Sequence, residues 1–305
     1  MTNDLVDRIS RGLLVPADTI RRTAQTASKR YKTFTIAKRD GGKRTIHHPS
    51  RRLKALQRWL ALEIIGRFPV HASATAYREG MSIINNATAH VEGAFLLRMD
   101  FKDFFESISG DDIRAFLGAT SSLREDDIDI FVKIVCLNDA LTIGSPSSPP
   151  LANAICFALD SSIAARCMER DVKYTRYADD LFFSSARPNV LRDLPDAIER
   201  IVRGLPYPAR LAINAKKTRH SSKKTLRRVT GLTLTPVGKV VVGRSLKRSV
   251  RARIHKFDTL SGAERQRLRG HITYVQSVDR NFINALILKY GSQLITRVLV
   301  CDGCV

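Results

Sequence analysis

Three aspartates occupy places where a carboxylate is costly to keep. Asp100 closes the apolar run Leu97-Arg98-Met99-Asp100-Phe101, and Asp179-Asp180 lie between Tyr177-Ala178 and Leu181-Phe182-Phe183. An acid at the end of a buried strand loses hydration and needs a cation to compensate. Two or three convergent carboxylates form a hard oxygen site for a divalent ion such as Mg²⁺. A pair of ions about 3.5–4 Å apart can activate an attacking hydroxyl and stabilise the leaving oxygen of an in-line phosphoryl transfer. The two clusters are far apart in the chain, so only the fold can join them. Taken alone, an Asp-Asp turn is most often just a solvated turn, and the apolar setting brings the metal reading level with it.

The elements that would have to position these acids follow from periodicity. Residues 1 to about 30 read as helices, and Tyr31 to Ile46 as two strands joined by a Gly41-Gly42 turn. Leu53, Leu56, Leu60, Ile64 and Ile65 share one stripe, which predicts a helix over Leu53 to Phe68. Gly93 to Phe101 is a short buried strand; helices follow at Asp111 to Leu117 and Glu125 to Val135, then a Gly/Ser/Pro loop at 144–150 and an apolar helix from Leu151 to Met168. The β-rich segments Val172 to Tyr177 and Leu181 to Ser184 place Ala178-Asp179-Asp180 in a tight antiparallel turn. A helix near 190–204 and a hairpin over Val229 to Val242 come next, and the chain from Arg244 is mostly helical. No internal repeat or low-complexity linker separates independent domains, so the pattern is one α+β unit with lobes.

Charge restricts the partners. The 305 residues carry 51 Lys and Arg against 29 Asp and Glu, a net charge of +22, and no acid occurs from Arg200 through Phe257. Such an excess favours a polyanion, because bound Lys and Arg release the phosphate counterions. Ser, Thr, Gly and Pro interrupt the stretch too often for one amphipathic membrane helix, and no apolar run approaches the roughly 20 residues of a membrane span. The start, Met1-Thr2-Asn3-Asp4-Leu5-Val6-Asp7, has acids where a secretory signal has bases, so a cytoplasmic protein is expected. Cys136, Cys156 and Cys167 lie in apolar surroundings as reduced core thiols, and Cys301 with Cys304 supplies half of a tetrahedral zinc site or a plain tail.

Tyr177-Ala178-Asp179-Asp180 resembles the Tyr-X-Asp-Asp motif of reverse transcriptases. Asp100-Phe101-Lys102-Asp103-Phe104-Phe105 resembles the motif that holds the family's first metal-binding Asp and its aromatic ribose gate. Gly144 through Pro149 and on to Asn153 resembles the template- and nucleotide-facing loop, and Asn214 with Lys217-Thr218 the motif whose lysine approaches the leaving pyrophosphate. Gly42-Lys43-Arg44 ahead of His48-Pro49 is similar to the fingers, where a basic residue holds the triphosphate. Asn86-Ala87-Thr88-Ala89-His90 and Val229-Thr230-Gly231 resemble the Asn-Ala-X-X-His and Val-Thr-Gly elements of the retron reverse transcriptases of bacteria. Each of these last two is short, and His90 alone reads as a core or capping histidine.

The resemblance implies a right-hand polymerase fold, with fingers and N-terminal helices over 1–92, a palm of antiparallel sheet and helices over 93–228, and a helical, RNA-binding thumb over 229–305. It implies metal ligation by Asp100, the Phe101 carbonyl, Asp179 and Asp180, with two Mg²⁺ ions and Mn²⁺ as a substitute, and Lys217 as the further catalytic group. Arg44, Phe105, Ile143 and Gly144 fall at nucleotide-binding positions; Ile143 stands where many reverse transcriptases have Gln. Asn86, His90, Val229, Thr230, Gly231, Lys247, Arg248 and Arg251 fall at RNA-binding positions. The implied activity is copying part of a cognate structured non-coding RNA into branched multicopy DNA from deoxynucleoside triphosphates, primed from a guanosine 2′-hydroxyl. A separate effector protein and a role in defence against phage come with it. From the length, the maturase and endonuclease extensions of group II intron enzymes are not expected. Alternatives are a group II intron-like or diversity-generating enzyme, an inactive RNA-binding relative, or another palm-fold enzyme such as a nucleotide cyclase.

Overall fold

The computed structural model describes residues 4–37 and 41–300, so the Cys301 and Cys304 reading lies outside the described residues. The strands are β1 (Tyr31–Ala37), β2 (Lys43–Pro49), β3 (Phe95–Asp100), β4 (Lys173–Tyr177), β5 (Asp180–Ser185), β6 (Arg219–Ser222), β7 (Arg227–Val229), β8 (Leu232–Leu234) and β9 (Val240–Val241). They form an antiparallel β1–β2 hairpin, a four-stranded sheet in the order β4-β5-β3-β6, and a three-stranded sheet in the order β7-β8-β9. Together with the helices this is an α+β fold. The chain divides into two compact units, the first made of Met1–Met81, Leu97–Phe183 and Asn189–Arg219, the second of Ser82–Leu96, Ser184–Pro188 and His220–Val305.

In the first unit the helices Leu5–Leu13, Ala17–Gln25, Arg51–Glu63 and Glu125–Val135 pack around Leu5, Val6, Ile9, Ile20, Leu53, Leu60 and Phe131, all fully buried. The stripe read from Leu53 onward is this third helix, which stops at Glu63 and passes into a 3-10 turn, Ile65–Arg67. Asp127 serves the bundle twice: its carboxylate accepts the Leu5 amide at 2.9 Å, filling a vacant donor at a helix start, and pairs with Arg124 at 3.3 Å.

The expected helix from Leu151 to Met168 is two helices, Ser148–Ile155 and Phe157–Met168, bent by 51° about Cys156. Pro149 and Pro150 fall in the first turn of the former, where a missing amide hydrogen removes no helical bond, so helix begins inside the expected loop. This pair has the length and apolarity of a broken span, but Leu151, Ile155, Leu159 and Ile163 are buried in the unit's core. No single described helix is long and apolar enough to cross a membrane.

One polar cluster is enclosed in this apolar setting. Arg176 on β4 and Asp160 on the Phe157–Met168 helix are both fully buried, with Nε to Oδ1 at 2.8 Å and Nη2 to Oδ2 at 2.6 Å. Burial alone would lower the Arg176 pKa, but the charge and hydrogen bonds of Asp160 outweigh it and hold the guanidinium protonated. The same guanidinium donates to Asn153 Oδ1 at 3.1 Å and to the Ala178 carbonyl at 3.3 Å. Tyr174 donates its hydroxyl to Asp160 at 2.8 Å.

In the second unit, helices Arg244–His255, Gly262–Val278, Arg280–Tyr290 and Ser292–Leu299 close around Val250, Ile254, Leu268, Ile272, Phe282 and Ile295. The helix Ile83–Thr88, unforeseen because it is only six residues long, is set by a capping box between Ser82 and Asn85. It packs on the β7-β8-β9 sheet, which replaces the simple hairpin expected over Val229 to Val242. The buried free thiols Cys136, Cys156 and Cys167 have pKa values pushed up to about 12 by desolvation, as suits reduced core residues.

Asp160→Ala strands a buried guanidinium and is expected to destabilise the protein by about 3–5 kcal/mol in denaturant melts. A loss under about 1 kcal/mol would mean that water reaches Arg176.

Candidate active site

Strands β4 and β5 are joined by only Ala178 and Asp179, a connection that fits antiparallel strands and no crossover. Ala178 takes φ 57, which turns the chain so sharply that Asp179 sits at the tip and Asp180 opens β5. The Asp179 carbonyl accepts the Phe101 amide at 2.9 Å, and the Asp100 carbonyl accepts the Asn214 amide at 2.8 Å. These two backbone bonds bring Asp100, Phe101, Asp179 and the Asn214–Lys217 segment together from three separate parts of the sequence.

The acids are crowded and their countercharges limited. Asp100 is 2% exposed and receives Lys217 Nζ on both carboxylate oxygens, at 2.9 and 3.0 Å. That hydrogen bond raises the Lys217 pKa, so the ammonium stays charged. The Asp179 pKa is raised, first by burial and next by Asp100. Asp180 is pushed up to about 6 by burial, against the opposing pull of Arg98, whose Nε and Nη2 both reach Oδ1, at 3.0 and 2.7 Å. Hard oxygen donors with unmet negative charge are what a divalent ion needs. Among the described residues, no three His, Cys, Asp or Glu side chains converge as a ready cage; Asp100 is paired with Lys217 and Asp180 with Arg98.

Around the acids stand the other expected residues. Arg44, exposed on β2, is close enough to Asp179 to oppose part of the rise in its pKa. Phe104 is buried and stacks on Phe101, whereas Phe105 is half-buried with its ring 6.4 Å from Tyr77, so one of the two phenylalanines is core and the other faces out. The Ile143 carbonyl accepts the His47 amide at 2.8 Å, tying the loop to β2. Gly144 has φ 111, and a Cβ there would lie 2.5 Å from the His47 carbonyl oxygen, so no other residue fits without moving β2. Buried Asn153 donates to the Ala76 carbonyl at 2.8 Å.

The expected RNA contacts divide. Asn86, His90 and Val229 are fully buried and are corrected as direct contacts: they present no surface to a ligand. His90 Nδ1 lies 2.8 Å from Ser184 Oγ, and Thr230 donates its hydroxyl to the Ile83 carbonyl at 3.1 Å, so the two short elements build one platform. Lys247 is engaged by Asp279 at 2.7 Å, and Lys247 and Arg251 stand 5.0 and 4.8 Å from the Phe282 ring centroid. Gly231, Arg248 and Arg251 are exposed. Sequence reading missed Arg98, Tyr77 and the Arg176–Asp160 pair. Arg98 had a signal, since it lies two residues before Asp100 on one face of a strand.

A sheet that sets two acidic strand ends together beside a lysine, with an aromatic wall and a basic hairpin, defines a nucleotidyl-transferring polymerase palm. The fold is shared with telomerase from Candida albicans, a structure in complex with a fragment of telomeric RNA (TM-score 0.51, 11% identity, 88% of this chain and 56% of that one). A family model for reverse transcriptase (RNA-dependent DNA polymerase) matches residues 36–234. The chain is 35% identical to the Retron Ec86 reverse transcriptase of Escherichia coli over 95% of its own length and 91% of the relative's. It is 34% identical to the Retron Ec83 enzyme of the same organism, covering 88% and 89%. The chain belongs to the retron reverse transcriptases and is an RNA-directed DNA polymerase.

Between the ordinary aspartate value of 3.8 and about 6, the folded chain binds more protons at Asp180 than the unfolded one, so this group makes the fold less stable as pH rises through that window. Urea melts between pH 4 and 7 are expected to show Asp180→Asn flattening that decline. An unchanged slope would mean that Asp180 is not desolvated.

Proposed function

We propose that the protein copies part of its own structured non-coding RNA into multicopy DNA joined to that RNA at a guanosine 2′-hydroxyl. The observation that carries the polymerase half of this reading is the Phe101–Asp179 backbone bond, which sets the acids side by side with Lys217 within reach. Support for the retron half is the 35% identity to a retron enzyme across nearly the whole chain, with the His90 and Val229-Thr230-Gly231 elements packed into one unit.

In this reading residues 1–92 are fingers, 93–228 palm and 229–305 thumb. Asp100 and Asp179, with Asp180 and Phe101 beside them, would hold two Mg²⁺ ions, for which Mn²⁺ could substitute; bound there, the ions would activate the priming hydroxyl and offset charge on the leaving pyrophosphate. Arg44 grips the triphosphate of the incoming deoxynucleotide. Lys217 leaves Asp100 and donates a proton or a hydrogen bond to the leaving pyrophosphate. Phe105 fills the space a 2′-hydroxyl would need, so ribonucleotides are rejected by overlap. Ile143, in place of a polar residue, and Gly144 let the β2 backbone close on the base. The exposed arginines of the thumb, Arg248 and Arg251, hold folded RNA through its phosphates. The protein acts in the cytoplasm, with a separate effector, in defence against phage.

Sequencing the nucleic acid that copurifies with the protein tests the retron reading. One RNA species branched to DNA is expected; unbranched or heterogeneous nucleic acid would refute it. Asp179→Asn removes charge with little change of volume, so primer extension on RNA is expected to fall to background while RNA binding persists. Undiminished extension would refute the metal assignment. Phe105→Ala is expected to keep deoxynucleotide incorporation and to gain ribonucleotide incorporation in single-nucleotide assays. A folded, active variant that still rejects ribonucleotides would remove Phe105 as the gate.

A further inference from the structure

Tyr77 is a bulky residue held where the backbone disfavours one. Its φ is 58, in the left-handed region that glycine or asparagine enters far more readily. Residues on either side leave the chain no freedom to relax. The Thr75 amide and hydroxyl donate to the Arg176 carbonyl at 2.8 and 3.1 Å, and the Arg176 amide donates to the Ser73 carbonyl at 2.7 Å. Asn153 holds the Ala76 carbonyl, and the Arg78 guanidinium donates to the carbonyls of His71, Ala72 and Ala74. Ala74, Thr75 and Ala76 are buried, and then Tyr77 emerges 53% exposed. A tyrosine placed this way contributes little to the core and still strains the chain, which is the pattern of a residue kept for a ligand.

Its surroundings indicate which ligand. The ring stands 6.4 Å from that of Phe105, tilted by 47°. Although half the residue is exposed, desolvation around the hydroxyl, followed by the charge of Asp179, raises its pKa, while Arg44 opposes the rise. Tyr77 therefore lies within electrostatic reach of an acid of the palm and of the basic residue on β2. We infer that Tyr77 is a specificity-determining contact of the nucleotide site, its ring forming with Phe105 an aromatic wall for the base and sugar of an incoming deoxynucleoside triphosphate. This rests on the polymerase reading of the site. The strain is tolerated because the Arg176 and Asn153 hydrogen bonds fix the strap that carries the ring.

The test uses the full chain with an RNA template, a DNA primer and deoxyadenosine triphosphate. Tyr77→Gly relieves the φ strain, so its melting temperature is expected to be retained or raised. Half-saturation by the nucleotide is expected to rise roughly tenfold to a hundredfold, the range for loss of one base-stacking partner. The maximal rate and primer–template affinity should stay near wild type, and Tyr77→Phe should restore half-saturation. Wild-type half-saturation in Tyr77→Gly would overturn the inference. So would a parallel fall of melting temperature and maximal rate, which would mark the ring as a structural prop. Absence of extension by the wild-type protein would instead overturn the polymerase reading, and this inference with it.

Discussion

The buried pair of Arg176 and Asp160 is the interaction from which the rest of the site is built. Removing two charges from water is unfavourable by several kcal/mol per ion, and the fold tolerates it because the geometry is nearly complete. Asp160 accepts from two guanidinium nitrogens and from Tyr174, while the remaining guanidinium contacts go to Asn153 and to the Ala178 carbonyl inside the turn between β4 and β5. Two well-packed apolar residues could fill the same volume with similar stability. They could not tie the turn to the Ser148–Ile155 helix, because dispersion has no direction, whereas the guanidinium reaches both the Ala178 carbonyl and Asn153. The ion pair thus trades little stability for placement.

Placement matters because the acids repel one another. Burial raises the pKa of both Asp179 and Asp180, and without bound cations the charge on Asp100 and Asp180 is met by Lys217 and Arg98. The two cations differ in reach. Lys217, on a half-exposed flexible stem, can leave Asp100 when a ligand arrives, whereas Arg98 holds one oxygen of Asp180 with two nitrogens from a neighbouring strand.

Much of this was readable from the chain, and the unreadable part has identifiable causes. The acids at strand ends, the tight turn at Ala178 and the split of Phe104 and Phe105 into core and outward faces follow from local pattern, and the structure places them so. The fold class and the retron resemblance were carried by ordered motifs rather than by periodicity, and both held. The resemblance put Asn86 and His90 at RNA-binding positions, while His90 alone read as a core or capping histidine; polar side chains in short motifs also serve as buried struts, and both residues are buried here. Arg176 was invisible for a related reason: a charge inside an apolar strand has meaning only with its partner, and Asp160 sits on another element.

Beyond neutralising Asp160, Arg176 holds the turn between β4 and β5 and Asn153 in place. Arg176→Lys keeps the charge beside Asp160 but lacks the planar fork that reaches Asn153 and Ala178 at once. The decisive measurement is its single-nucleotide extension rate on an RNA template, taken at a temperature where circular dichroism shows the variant folded. A fall of roughly tenfold or more, with RNA affinity unchanged, is the expected result. A folded Arg176→Lys protein that extends primers at the wild-type rate would contradict it.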